Sequence, residues 1–157
     1  MLYRVDERLI HGQVVIGWGS QLNPRRYLVV DDQLAASEWE QELYRLSLPE
    51  GVTADFVRVS DASKVVPPWQ EEAQRSVLLT RDVQTMLRIA ELGLLGGASV
   101  NVGGIHHAPG RTQVRSYLFL DDDDRKRLQR MEQLGVTVTA RDLPDSVRVP
   151  LATLLKD

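Results

Sequence analysis

Short apolar runs rich in β-branched residues recur along this chain, each closed by turn residues and followed by a stretch with helical spacing. That alternation restricts the fold more than any other feature, because it is the pattern of an α/β protein built on a largely parallel sheet. Seven runs fit the strand criteria, at residues 2–5, 27–30, 54–59, 77–80, 99–102, 117–120 and 136–139. Several are apolar at consecutive positions, as in Tyr27-Leu28-Val29-Val30, which suits strands covered on both faces. The expectation is one domain over residues 1–157, an open, mostly parallel twisted sheet of about seven strands with helices on both faces.

Composition narrows the function classes. At 157 residues and 43% apolar, the chain can bury a core without covalent staples, and the absence of cysteine excludes disulfides and thiolate metal sites. Its 19 basic residues are scattered among 22 acidic ones, so no basic face for nucleic acid is visible. Arg4, Asp6, Glu7 and Arg8 occupy the stretch where a signal peptide needs an apolar run, and the weakly polar segment 92–105 is broken by glycines. A cytoplasmic protein is expected, with any membrane association made through a partner.

The helices have readable edges. Ser37 and Glu40 have capping-box spacing ahead of a stripe of Trp39, Leu43 and Leu46, which Pro49 and Gly51 close. Asp82 can cap a helix burying Val83, Met86, Leu87 and Ala90 and ending near Gly93. A third begins in the acidic run 121–124, continues through Arg125, Leu128, Met131 and Leu134, and stops at Gly135. These apolar stripes are all assigned to covering the sheet. Pro67, Pro68 and Trp69 are read as a loop between the third and fourth strands.

Of three histidines, His11 has the most informative surroundings. Asp6-Glu7-Arg8-Leu9-Ile10-His11-Gly12-Gln13 follows the first strand and precedes the helical pattern Val14, Val15, Trp18, Leu22, which sets His11 in a strand-to-helix loop. Such loops line the ligand crevice of open α/β sheets. The amides of Gly12 and Gln13, near a helix N-terminus, favour a bound anion such as phosphate. Arg8 adds a planar cationic fork for phosphoryl oxygens, Asp6 can orient the arginine or the ring, and a neutral imidazole can attack phosphorus. On spacing alone, a solvated or hydrogen-bonded histidine without a catalytic task is the commoner description of such a loop residue.

The stretch Arg4 to Trp18, RVDERLIHGQVVIGW, resembles the phosphorylation-site signature of the mannose/fructose/sorbose-family IIB component of the bacterial phosphoenolpyruvate-dependent sugar phosphotransferase system. The similarity extends to Val29-Val30-Asp31-Asp32 and to Ser99-Val100-Asn101-Val102-Gly103-Gly104. The resemblance implies that His11, through Nδ1, accepts a phosphoryl group from a phosphohistidine on a IIA protein. The group would pass to a sugar taken up through membrane IIC and IID components, with Arg8 stabilising it and Asp6 in support. It implies no cofactor. A free-standing regulatory phosphorelay remains an alternative, as does a metal-assisted hydrolase built on the histidines.

Other features carry less. His106 and His107 lie in a glycine-bounded loop after the fifth strand, without the spacing of a metal motif. Arg111, or Gly103 and Gly104 by close backbone approach, would border the His11 crevice if the first and fifth strands are neighbours. Asp31 and Asp32 end the second strand and open a loop, and the 121–124 run reads as a solvated helix start. No GxxxxGK[ST] or GxGxxG is present, so neither ATP nor NAD is implied.

Overall fold

The structure is a computed structural model that describes residues 1–72 and 75–156. The chain begins with β1 (Leu2–Val5), a π-helical turn (Gln13–Trp18) running into α1 (Gly19–Leu22), β2 (Arg26–Val30), α2 (Asp32–Ala35) and α3 (Glu38–Arg45). It continues with β3 (Thr53–Val57), a 3-10 turn (Val59–Asp61) leading into α4 (Ala62–Glu71), β4 (Ser76–Thr80), α5 (Val83–Glu91) and β5 (Ser99–Val102). The remainder comprises β6 (Thr112–Arg115), β7 (Leu118–Leu120), α6 (Asp122–Gln133), β8 (Thr137–Ala140), β9 (Val149–Pro150) and α7 (Leu151–Leu154).

Seven strands form one sheet in the order β3-β2-β4-β1-β5-β8-β9, all parallel except the β8–β9 pair at one edge. Because successive side chains alternate between faces, each central strand feeds two cores. On one face Val5, Leu28, Leu78 and Val100 pack with Trp69 of α4, Met86 and Ile89 of α5, and Leu128 and Met131 of α6. On the other, Tyr27, Val29, Val77 and Leu79 meet Leu9, Ile10, Val14 and Leu34. The expected α/β architecture with helices on both faces is present.

This division positions the site. After β1 the chain turns to the face carrying Val14 and Leu34, whereas the connections around β4 and β5 keep to the face carrying Met86 and Leu128. β1 and β5 are neighbours, so their outgoing loops diverge and leave a crevice at the carboxyl ends, where open α/β sheets bind ligands.

Four sequence expectations are corrected. The run 117–120 supplies β7, but β7 pairs antiparallel with β6 in a separate two-stranded sheet, and the seventh strand of the main sheet is β9. Only Ser116 and Tyr117 separate β6 from β7, and so short a connection can join only antiparallel neighbours. Pro67, Pro68 and Trp69 lie inside α4 rather than in a loop. Proline disfavours a helix interior, yet Ala62, Val66 and Trp69 have the spacing of a buried helical face, and Trp69, only 6% exposed, stacks under the Arg26 guanidinium. The stripe on α3 faces solvent, with Trp39 68% and Leu46 82% exposed. Ser37 occupies the N-cap of α3 but its side chain makes no capping bond. By contrast Asp82 accepts from the Thr85 amide, and Asp121 from that of Asp124, as capping residues do.

Candidate functional site

The loop after β1 is held between the two neighbouring strands. The Asp6 amide donates to the Thr80 carbonyl at 3.0 Å and that of Glu7 to the Gly104 carbonyl at 2.9 Å, so the two acidic residues continue the strand and point in different directions. A tight turn follows, closed by the Leu9 amide on the Asp6 carbonyl at 3.0 Å. Leu9 is left-handed (φ 58°), a conformation that costs a bulky residue roughly 1–3 kcal/mol and persists where packing fixes it. Here the fixing agent is complete burial of the Leu9 side chain in the second core.

Beneath the turn lies a charged residue that sequence reasoning gave no role. Arg4 is fully buried, and its guanidinium donates to Asn101 Oδ1, to the Arg141 carbonyl at 2.8 Å, to the Asp142 carbonyl at 3.0 Å and to Asp6 Oδ2 at 3.2 Å. The Trp18 ring packs 5.0 Å from it. Gly103 makes the arrangement possible, since a Cβ at that position would collide with the Arg4 guanidinium.

Asp6 relays this charge to the surface. Its side chain has no solvent exposure, with Oδ2 on Arg4 and Oδ1 accepting the Arg8 amide at 3.1 Å and lying 3.2 Å from His11 Nε2. Burial works against the carboxylate, but His11, Arg4 and the Arg8 amide outweigh it and hold Asp6 at about 2. The Nε2 contact is an ion-pair separation without hydrogen-bond alignment. The other ring nitrogen, Nδ1, faces the Gln13 amide at 3.3 Å. A carboxylate beside Nε2 favours a proton there, which leaves the lone pair on Nδ1.

The remaining expected residues gather around this ring. Gly12 is the N-cap of the π-helical turn, with open space where a Cβ would stand, and Gln13 is the first residue of the turn. Arg8, 38% exposed, donates through Nη2 to Gln13 Oε1 at 2.7 Å, and its Nε is 3.6 Å from Asp6 Oδ1. Thus Asp6, Arg8, His11, Gly12 and Gln13 form one cluster, in which Asp6 Oδ1 lies by the His11 ring and Arg8, and Gln13 contacts both Arg8 and Nδ1 of His11. Such a set can hold a phosphoryl group and stabilise its oxygens without a metal.

The β5 loop forms the opposite wall. Gly104 sits against Arg8, where a Cβ would stand 3.3 Å from Nη2, and its amide is 3.4 Å from Asp6 Oδ2. Glu7 Oε2 accepts the His106 amide at 2.8 Å and contacts His106 Nδ1, while Oε1 is 3.5 Å from Arg111 Nη1. Burial would raise the Glu7 carboxyl, but the His106 amide and ring and Arg111 hold it below its ordinary value. Between the walls is a cleft of about 210 Å³ lined by Arg8, Gln13, His106, Tyr117, Phe119 and Asp142, among others.

Three features remain outside. His107 packs edge-on against Phe119. Asp31 caps α2 and pairs with Arg81, and Asp32 binds the Val59 amide and Arg88, two strands away from β1 in the sheet. Among the described residues, no group of three or more histidine, aspartate or glutamate side chains is arranged to hold a metal ion.

Comparison with known proteins identifies the family. The sequence profile of the PTS system sorbose subfamily IIB component matches residues 1–157. The chain belongs to that family. It is 33% identical over 150 residues to the N-acetylgalactosamine-specific phosphotransferase enzyme IIB component 1 of Escherichia coli strain K12, covering 92% of this chain and 90% of that protein. It is 31% identical over 154 residues to the mannose-specific EIIAB component of the same strain, covering 98% of this chain but 47% of the relative, so the chain spans about half the length of that two-part protein. Among solved structures, the IIBSor domain of the sorbose permease from Klebsiella pneumoniae superposes with a TM-score of 0.87 at 26% identity, covering 99% of this chain and 94% of that one.

Within this IIB fold, sequence reasoning found the loop and missed its support. Arg4, Asn101 and Gly103 lie in the segments that carry the family resemblance, but their mutual contact depends on the β1–β5 pairing, which no local pattern encodes. The β8–β9 connection, which supplies the Arg141 and Asp142 carbonyls, carried no signal. Among the described residues, no helix is long and apolar enough to cross a membrane.

Proposed function

We propose that this IIB component is a phosphohistidine carrier of the sugar phosphotransferase system, with His11 as the phosphoacceptor and Nδ1 as its nucleophile. The observation that carries the proposal is the position of the Asp6 carboxylate, held ionised 3.2 Å from Nε2 while Nδ1 faces the Gln13 amide. In the loading step the Nδ1 lone pair attacks the phosphorus of a phosphohistidine on a IIA protein. The donor's P–N bond breaks and its electron pair returns to the donor imidazole. Arg8 and the Gln13 amide stabilise the oxygens in transit, and Asp6 stabilises the positive charge that develops on the His11 ring.

In the discharge step a sugar hydroxyl attacks the same phosphorus and the P–Nδ1 bond breaks. The sugar is one taken up through membrane IIC and IID components, with the carrier on the cytoplasmic side. Incubation with phosphorylated IIA, followed by peptide mapping at alkaline pH, tests the reading. One acid-labile phosphoryl group on the peptide containing His11, absent from His11→Ala, is expected. Undiminished labelling of His11→Ala would refute the assignment.

A further inference from the structure

Discharge to a sugar differs from loading in one chemical respect. A hydroxyl loses a proton as its oxygen bonds to phosphorus, whereas transfer between two imidazoles releases none. His11 cannot take that proton while its Nδ1 is the leaving group and its Nε2 faces Asp6. A separate acceptor at the cleft would help the discharge step alone.

We propose that Glu7 and His106 form that acceptor, with His106 as the general base and Glu7 as its positioning residue; the inference rests on His11 carrying the phosphoryl group. Asp6 and Glu7 are consecutive, and each addresses a different histidine: Asp6 faces Nε2 of His11 within the same loop, and Glu7 faces Nδ1 of His106 across the β1–β5 crevice. Glu7 fixes the ring twice over, because Oε2 accepts the His106 backbone amide as well as contacting the ring, and Arg111 braces Oε1. A carboxylate against Nδ1 keeps a proton on that nitrogen and leaves the lone pair on Nε2, the logic by which an acidic partner orients a catalytic histidine. His106 lines the same cleft as Arg8 and Gln13. The Gln13 amide donates to Nδ1 of His11, and Arg8 donates to the Gln13 side chain.

The exposure of the ring suits the task. At 66% exposed, His106 can meet a hydroxyl presented by another protein and return its proton to water afterwards. The step balances: the acceptor oxygen bonds to phosphorus, the P–Nδ1 pair returns to His11, and the hydroxyl proton passes to His106 Nε2. His107, packed on Phe119, makes no comparable contact with a carboxylate among the described residues and serves as the control.

The test separates the two steps. Wild type, His106→Gln, His106→Asn, Glu7→Gln and His107→Asn are loaded from phosphorylated IIA. Discharge is then followed in vesicles carrying IIC and IID components, with mannose, fructose, sorbose and N-acetylgalactosamine as acceptors. Both His106 variants should discharge about 100-fold more slowly, the lower range for general-base contributions, with loading changed less than about threefold. Glu7→Gln should show the same split, and His107→Asn should match wild type. Equal loss of both steps in the His106 variants, or discharge at the wild-type rate, would overturn the assignment. Failure of wild type to load on His11, or to pass the group to any of the sugars, would overturn the carrier reading and this inference with it.

Discussion

Replacing Asp6 by asparagine tests the buried charge relay, because it keeps the shape of the side chain and removes the charge shared by Arg4 and His11. The folded-state value of about 2, against the ordinary 3.8, makes the carboxylate a source of stability that depends on pH. A depressed value contributes fully above the unfolded value and is lost as pH falls through the folded one. Roughly two pKa units correspond to about 2–3 kcal/mol at neutral pH, about half of it gone near pH 3 and most of it by pH 2. The variant also leaves the buried Arg4 guanidinium with only neutral acceptors, and breaking a buried ion pair typically costs about 3–5 kcal/mol. The variant should therefore be less stable than wild type at pH 7 by about 3 kcal/mol, with the gap narrowing by about 1 kcal/mol at pH 3 as wild type loses what the variant never had. Urea unfolding of both proteins across pH 2.5–7, followed by tryptophan fluorescence, reads the gap directly, and the midpoints and slopes together exclude a change in compactness. A gap that stays constant over that range would show that Asp6 does not titrate as a paired carboxylate, and the proposed relay from Arg4 to His11 would fail.

Arg8→Lys keeps the charge but loses the planar fork that reaches Gln13 Oε1, so phosphoryl loading should fall about tenfold or more with near-normal thermal unfolding; equal loading rates would remove Arg8 from the mechanism. Gly103→Ala should cost roughly 2–3 kcal/mol in denaturant unfolding, because its Cβ must displace the Arg4 guanidinium, and a neutral effect would show that Arg4 can move aside. Leu46→Ser should leave stability within about 0.5 kcal/mol by the same assay, since Leu46 is 82% exposed; a large loss would mean that this stripe is covered.

The fold was legible where local pattern and tertiary role coincide. Consecutive apolar residues in β2 and β4 announced strands buried on both faces, and Asp82 and Asp121 announced the helices they cap. It misled where a strong local signal lost to packing. Pro67 and Pro68 guided the sequence reading and left the Ala62, Val66, Trp69 spacing unweighed, whereas in the fold the burial of Val66 and Trp69 outweighs the proline penalty. The α3 stripe has good periodicity, but Tyr44 and Leu48 already make that segment's contact with the β3 side of the sheet, so the stripe is left outward.

The site divides in the same way. Asp6, Arg8 and His11 are separated by a few residues in one loop, and a strand followed by a helix sufficed to bring them together. Arg4 is as near in sequence, yet its partners Asn101, Arg141 and Asp142 lie on or beside β5 and β8. Glu7 and His106 are 99 residues apart, and only the strand order makes them neighbours. Side chains that join distant strands are the ones a linear reading omits.

Long-range proton–nitrogen correlation spectra of the imidazoles, recorded before and after loading from phosphorylated IIA, test the central claim most directly. The account predicts a proton on Nε2 of His11 in the free protein and a phosphorus–nitrogen coupling at Nδ1 of the same ring in the loaded one. Phosphorus on Nε2, on His106 or on no histidine would contradict it.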